Sequence, residues 1–354
     1  MGNCRWARVL VLCSTALVMN SCVGIRPQQG AGFQFGESVV LVRDEPANLA
    51  FAPKLSRPVE VRSTYRPGLP HTIQYVPGRD YTLEPGGQIR RAPQSRIPDF
   101  GTNMLYGKED FRHDQFPGFG NGPFFVYVDY FHAGKWKPPP PPAGLSAARL
   151  PRTRQQLRAG GTVRIVAFGD SITAGGDASV PDLIFWQRWA DALRRKYPRA
   201  TIETVNGATG GDTTRQGLQR LEEKVLRQKP SLVLIGFGMN DHNREGFGVP
   251  LAEFAGNLRT LIDRTRAATG AEVVLFSAFP PNPKWHYGSH NMAAYANATE
   301  AVAMEKGCAF ADVHGYWMTM AARKKPEDLL ANNINHPNDF GHGIYFEALQ
   351  ALGL

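Results

Sequence analysis

Four short stretches of this sequence carry residues that could do chemistry together. "GDSIT" contains Ser171, "GGDTT" contains Gly211, "GMND" contains Asn240 and "NNINHP" contains His336. A hydroxyl that can attack, an imidazole that can take its proton and N–H groups that can receive a developing oxyanion are what acyl transfer needs. Each piece has a plainer reading alone. A serine after a strand caps a helix, a glycine permits a turn, an asparagine bonds within its own loop, and a histidine packs or faces water. Their common placement is the stronger signal, because each stretch follows an apolar run.

Those runs predict the elements that must position them. From Thr162 onward, strand-like and helix-like segments alternate: "TVRIVAFGD", then "DLIFWQRWADALRRKYP" with Trp186, Trp189, Ala190 and Leu193 at helical spacing, then "TIETVNGA". "RQGLQRLEEKVLRQKP", "SLVLIGFG", "LAEFAGNLRTLIDRTRAATG", "EVVLFSAFP", a helix over about 289–306 and "CAFADV" continue the pattern. Strands alternating with helices predict a parallel three-layer α/β sheet. In such sheets ligands sit beyond the carboxyl ends of the strands, where all the stretches above fall.

Residues 36–131 read differently, as short apolar or alternating runs separated by Pro-Gly turns, which predicts a smaller β-sandwich-like domain. Residues 132–161 form a linker and lead-in that includes the stiff run Pro138 to Pro142. The alternating α/β part is expected over 162–354.

The first 22 residues carry Arg5 and Arg8, an apolar run from Val9 to Met19, and "MNSC" ending at Cys22. This pattern predicts an export signal. The run is about half the roughly 20 apolar residues that a membrane-spanning helix requires. "MNSC" resembles a degenerate lipobox, so Cys22 is a candidate lipid anchor, and the expected location is periplasmic or outer-membrane lipoprotein, or secreted. Beyond this segment only Cys22 and Cys308 remain, so no disulfide framework is expected, and Cys308 reads as a buried small hydrophobe. The formal charge is +9 and its basic residues are scattered, without an aromatic-interleaved stripe. A solvated basic surface open to anionic polysaccharide fits this pattern, and an exported chain argues against nucleic acid.

Taken together, the blocks resemble those of the SGNH, or GDSL-type, hydrolases, over roughly residues 162–350. The resemblance implies a flavodoxin-like fold and metal-free ester hydrolysis without a cofactor. It implies Ser171 as nucleophile, His336 as base, and the Ser171 N–H, the Gly211 N–H and the Asn240 amide as the oxyanion hole. One position departs from the family. Members commonly carry Asp three residues before the histidine, and here Asn333 stands there. An amide can orient a catalytic imidazole, so the expectation is a Ser171–His336 dyad steadied by Asn333 or a backbone carbonyl. Asp339 is the alternative acid, with capping of the last helix as its plainer role; Asp170 and Asp241 are expected to be structural hydrogen-bond partners.

Rival chemistry fails on detail. "GATGGDTT" lacks the P-loop lysine, and "HYGSH", with His286 and His290 four apart, lacks the glutamate of the zinc motif. Trp285 and Tyr287 would stack on a sugar or pack within the fold. A β domain joined to a compact hydrolase resembles carbohydrate esterases that remove small acyl groups, often acetyl, from polysaccharides. The alternatives are a lipase or thioesterase of the same family, or a non-catalytic carbohydrate-binding protein on a decayed hydrolase fold.

Overall fold

The computed structural model describes residues 29–30, 32–244, 246 and 248–354. The expected export signal and Cys22 lie outside the described residues. Among the described residues, no helix is long and apolar enough to cross a membrane.

The N-terminal part contains strands β1 (Gln29–Gly30), β2 (Phe33–Val40), β3 (Ala47–Asn48), β4 (Glu60–Arg62), β5 (Tyr81–Leu83), β6 (Gln88–Arg91) and β7 (Phe125–Phe131). They form two antiparallel sheets, in the orders β1-β2-β7-β4 and β3-β6-β5. The turn "EPGG" closes the β5–β6 hairpin through Gly87, whose N–H bonds the Glu84 carbonyl at φ +87°. Pro138 to Pro142 carry no regular structure and lie against a later helix, where a Cβ added to Gly315 would come within 2.6 Å of Pro139.

The remainder is the expected alternation: α1 (Pro151–Ala159), β8 (Thr162–Gly169), α2 (Ser171–Ala174), α3 (Phe185–Lys196), β9 (Thr201–Asn206), α4 (Thr214–Lys224), β10 (Leu232–Gly236) and α5 (Leu251–Thr269), followed by β11 (Glu272–Phe276), α6 (Met292–Lys306), β12 (Ala309–Ala311), α7 (Val313–Ala321), α8 (Pro326–Leu329) and α9 (Asp339–Gln350). The five strands pair parallel in the order β12-β11-β10-β8-β9, the flavodoxin-like arrangement. Helices cover both faces, so β10 and β11 are buried at every position and read as continuous apolar runs rather than alternations. Cys308, just before β12, is buried and free, and burial pushes its thiol up to about 11.

The antiparallel part does not keep a core of its own. Its buried side chains, such as Val39, Leu41 and Tyr127, are continuous with those of the parallel sheet and α9, such as Phe340 and Ile344. Polar ties cross the same junction. Ser38 Oγ donates to the Asp328 carbonyl at 2.5 Å, Asp328 accepts from Val40 N–H at 2.9 Å, and buried Lys324 pairs with buried Glu37 at 2.8 Å.

Candidate active site

The parallel order reverses between β8 and β10, and the loops leaving those two strands build the centre of the site. Leaving β8, Asp170 caps α2 by accepting from Ile172 N–H at 3.0 Å, which places Ser171 in the first helical turn. The strand must end in glycine: a Cβ on Gly169 would meet the Gly236 carbonyl at 2.1 Å. Desolvation pushes the Asp170 carboxyl up to about 7. Asp241 is also buried. It accepts from Thr214 N–H, Thr214 Oγ and Gly238 N–H, and desolvation pushes it up to about 6. Both aspartates are structural hydrogen-bond partners in this geometry.

His336 closes the arrangement. Its Nε2 lies 2.8 Å from Ser171 Oγ, and its Nδ1 lies 2.9 Å from Asp177 Oδ2. Asp177 follows Ser171 by six residues, in a turn made by Gly175 and Gly176. A Cβ on Gly176 would come within 2.9 Å of His336 Nδ1 and of the Ser171 carbonyl, so the loop reaches the imidazole only with glycine there. Asp177 itself adopts φ +60°, a conformation Asp and Asn tolerate better than most residues. Beyond it, Ser179 N–H donates to Asp339 at 2.9 Å and anchors the far end of the loop.

The second and third blocks approach the same point. Gly211 adopts φ +79°, and its neighbour Gly210 lies close enough that a Cβ there would be 3.7 Å from Ser171 Cβ. Asn240 donates from Nδ2 to the Asp212 carbonyl at 3.0 Å, which ties its amide to the Gly211 turn. A hydroxyl hydrogen-bonded to an imidazole, a carboxylate on the other ring nitrogen and amide groups alongside can together activate an oxygen nucleophile and receive an oxyanion.

The expected partner of His336 is displaced. Asn333 is 2% exposed and its Oδ1 accepts from Asn121 Nδ2 at 3.2 Å and Asn282 Nδ2 at 3.3 Å, away from the imidazole. The His336 loop is held instead by Asn332, whose Oδ1 accepts the N–H groups of Ile334, Asn335 and His336 at 2.9–3.0 Å. Asp339 is occupied by Ser179, and Asn338, not Asp339, caps α9 by accepting from Gly341 N–H. No sequence signal singled out Asp177, because an aspartate in a glycine-rich turn reads as a turn residue.

Trp285 is a packing residue here. It is 4% exposed, buried with Leu105, Phe111 and Ile334, and its Nε1 donates to His113 Nδ1 at 3.1 Å. Tyr287 is half-buried, with the Arg112 guanidinium 5.6 Å from its ring centre. His286 meets Asp110 at 3.0 Å and Arg112 at 2.8 Å.

A sequence model of the GDSL-like lipase/acylhydrolase family matches residues 167–344. Esterase TesA of Pseudomonas aeruginosa is 33% identical over 147 residues, 40% of this chain and 66% of its own length. An acetylxylan esterase of Geobacillus stearothermophilus is 26% identical over 170 residues, 46% of this chain and 77% of its own length. The chain spans between 56% and 66% of the three curated relatives it matches at 32–35% identity. A solved two-domain esterase active on acetylated mannans, co-crystallized with mannopentaose, superposes with a TM-score of 0.49 at 23% identity, over 58% of this chain and 53% of that one.

Proposed function

Because the chain belongs to the GDSL-like lipase/acylhydrolase family, we propose that it is an exported serine ester hydrolase that removes small acyl groups, acetyl foremost, from carbohydrate. The observation that carries this reading is the unbroken chain from Ser171 Oγ through His336 to Asp177, with contacts of 2.8 and 2.9 Å. Ser171 Oγ attacks the ester carbonyl while His336 Nε2 takes its proton. The tetrahedral oxyanion is received by the N–H groups of Ser171 and Gly211 and by the Asn240 amide. Asp177 holds Nδ1–H and stabilises the imidazolium, which then protonates the departing alcohol. Water attacks the acyl-serine with His336 again as base, releasing the acid and restoring Ser171.

Export is supported by the Arg-flanked apolar run before Cys22. The carbohydrate and acetyl assignments are supported by the acetylxylan esterase among its relatives. The test has two arms. A fluorophosphonate probe should label the wild type and not Ser171→Ala; an unlabelled wild type would favour a non-catalytic binding protein. Initial rates on acetylated glycans should exceed those on acyl esters of eight or more carbons. Rates that climb with chain length would make it a lipase or thioesterase of the same family.

A further inference from the structure

Asp177 has no anchor of its own. Among the described residues its exposed carboxylate meets only His336. A catalytic group has to be held within about 0.5 Å of its productive place, so the backbone on either side of Asp177 must do the holding. That backbone is gripped by α9, which begins three residues after His336. On the far side of Asp177, Asp339 Oδ1 accepts Ser179 N–H at 2.9 Å. On the near side the Gly176 peptide is tied at both ends. Its N–H donates to the Ser171 carbonyl at 2.8 Å, and its carbonyl accepts from His342 Nε2 at 3.2 Å. Gly176 is also where an added Cβ would come within 2.9 Å of His336 Nδ1, so a turn of its peptide changes how Asp177 meets the imidazole. Buried Arg188 donates to the Asp339 carbonyl at 2.7 Å and steadies the turn of α9 that carries both grips.

His342 is a costly residue for packing alone. It is fully buried, with its ring near-parallel to that of Phe185 and 6.1 Å from it between centres. Burial, with the Arg188 guanidinium nearby, pushes the imidazole down to about 3, so it is uncharged at neutral pH. A carbonyl can only accept, so the ring proton sits on Nε2 and Nδ1 is a bare acceptor. That buried Nδ1 has no partner among the described residues. An unpaired buried acceptor destabilises the fold, and an apolar side chain would fill the space beside Phe185 without one. What the histidine adds is the N–H on the Gly176 carbonyl.

We propose that His342 is a positioning residue for the reaction: its bond to the Gly176 carbonyl sets the turn that presents Asp177 to His336, with Asp339 holding the far side of the same turn. The inference rests on the reading of Asp177 as the acid behind His336. The test is a double-mutant cycle on hydrolysis of a short activated ester by the full-length protein. Glutamine and methionine have the same length, and only glutamine can donate from the place of the lost Nε2. His342→Met should lower kcat about tenfold or more with KM within about threefold, and His342→Gln should recover most of that loss. In the Asp177→Asn background the two should differ by less than about twofold, because the turn then presents no carboxylate. Circular dichroism checks that each variant folds. His342→Phe, which keeps a flat ring beside Phe185 without the N–H, takes the place of His342→Met if that variant does not fold. Equal rates for the Gln and Met variants would make the ring a packing residue. A Met deficit carried in full into the Asp177→Asn background, or a change confined to KM, would place its action elsewhere. Each of these overturns the inference and leaves Asp177 as the acid. Parental kcat in Asp177→Asn alone would instead overturn the reading of Asp177, and the inference with it.

Discussion

The two loops that meet at His336 are built by opposite means. The loop after β8 runs from Ser171 to Asp177, turns on two glycines, and ends in a carboxylate that is 42% exposed. The loop before α9 is made of amides: half-buried Asn332 gathers three backbone N–H groups, and buried Asn333 is clasped by Asn121 and Asn282. Charge stands where water still reaches it, and neutral amides stand where it does not. A buried carboxylate at position 333 would need compensation that two amide donors supply poorly, whereas a paired amide is inexpensive to bury. The imidazole thus meets a carboxylate from the loop that carries Ser171, while its own loop is held by amides.

If this division is right, variants on the two sides should fail in different ways. The largest effect is expected at the nucleophile. Ser171→Ala should abolish hydrolysis of a short activated ester with an unchanged circular dichroism spectrum, and retained turnover would move the attack elsewhere. Next comes the oxyanion side. Asn240→Ala should lower kcat by about 10²–10³-fold with KM little changed, and steady-state kinetics that changed KM alone would make Asn240 a binding residue.

The amide loop should respond in stability rather than rate. Asn333→Ala removes one acceptor each from the Asn121 and Asn282 amides, which keep the Leu330, Glu327 and Asn333 carbonyls, and puts alanine at φ +59°; it should cost roughly 1–3 kcal/mol in denaturant unfolding, with kcat within about threefold of the parent. A pH-dependent stability effect concerns Asp170. Its folded carboxyl is raised to about 7 from an ordinary value of 3.8. The folded state therefore keeps a proton that the unfolded chain gives up. That contribution is full below about pH 4 and is lost as pH rises through about 7. Asp170→Asn preserves an acceptor for Ile172 N–H but cannot titrate, so its Tm relative to the parent should rise between pH 5 and pH 8. A constant difference would place the Asp170 titration elsewhere.

The sequence made the parallel half legible because strands covered on both faces are continuous apolar runs, and the Ser171, Gly211 and Asn240 blocks stand directly after three of them, whereas His336 follows β12 only after α7 and α8. The relation of Ser171 to His336, 165 residues away, was an expectation of the family resemblance. Asp177 could not be expected, since its role depends on the glycine turn that brings it against the imidazole ring. Asn333 was misleading for a related reason: its distance along the chain from His336 suits a partner, but a left-handed backbone at φ +59° goes with a side chain turned toward Asn121. The shared core was also hidden. Residues 36–131 have the turn-rich texture of a separate β domain, and nothing in the local pattern of "GESVV" announces that Glu37 and Ser38 bond to α8 and its approach.

The comparison between the two loops is tested most directly by Asp177→Asn, measured beside Asn333→Ala in one kinetic assay. Asn tolerates the left-handed backbone at this position, so the fold and Tm should be unaffected. The account predicts that Asp177→Asn lowers kcat by about 10³–10⁴-fold, as for loss of a charged acid behind a catalytic imidazole, while Asn333→Ala stays within about threefold. The reverse ranking, with Asp177→Asn nearly silent and Asn333→Ala severely impaired, would contradict it.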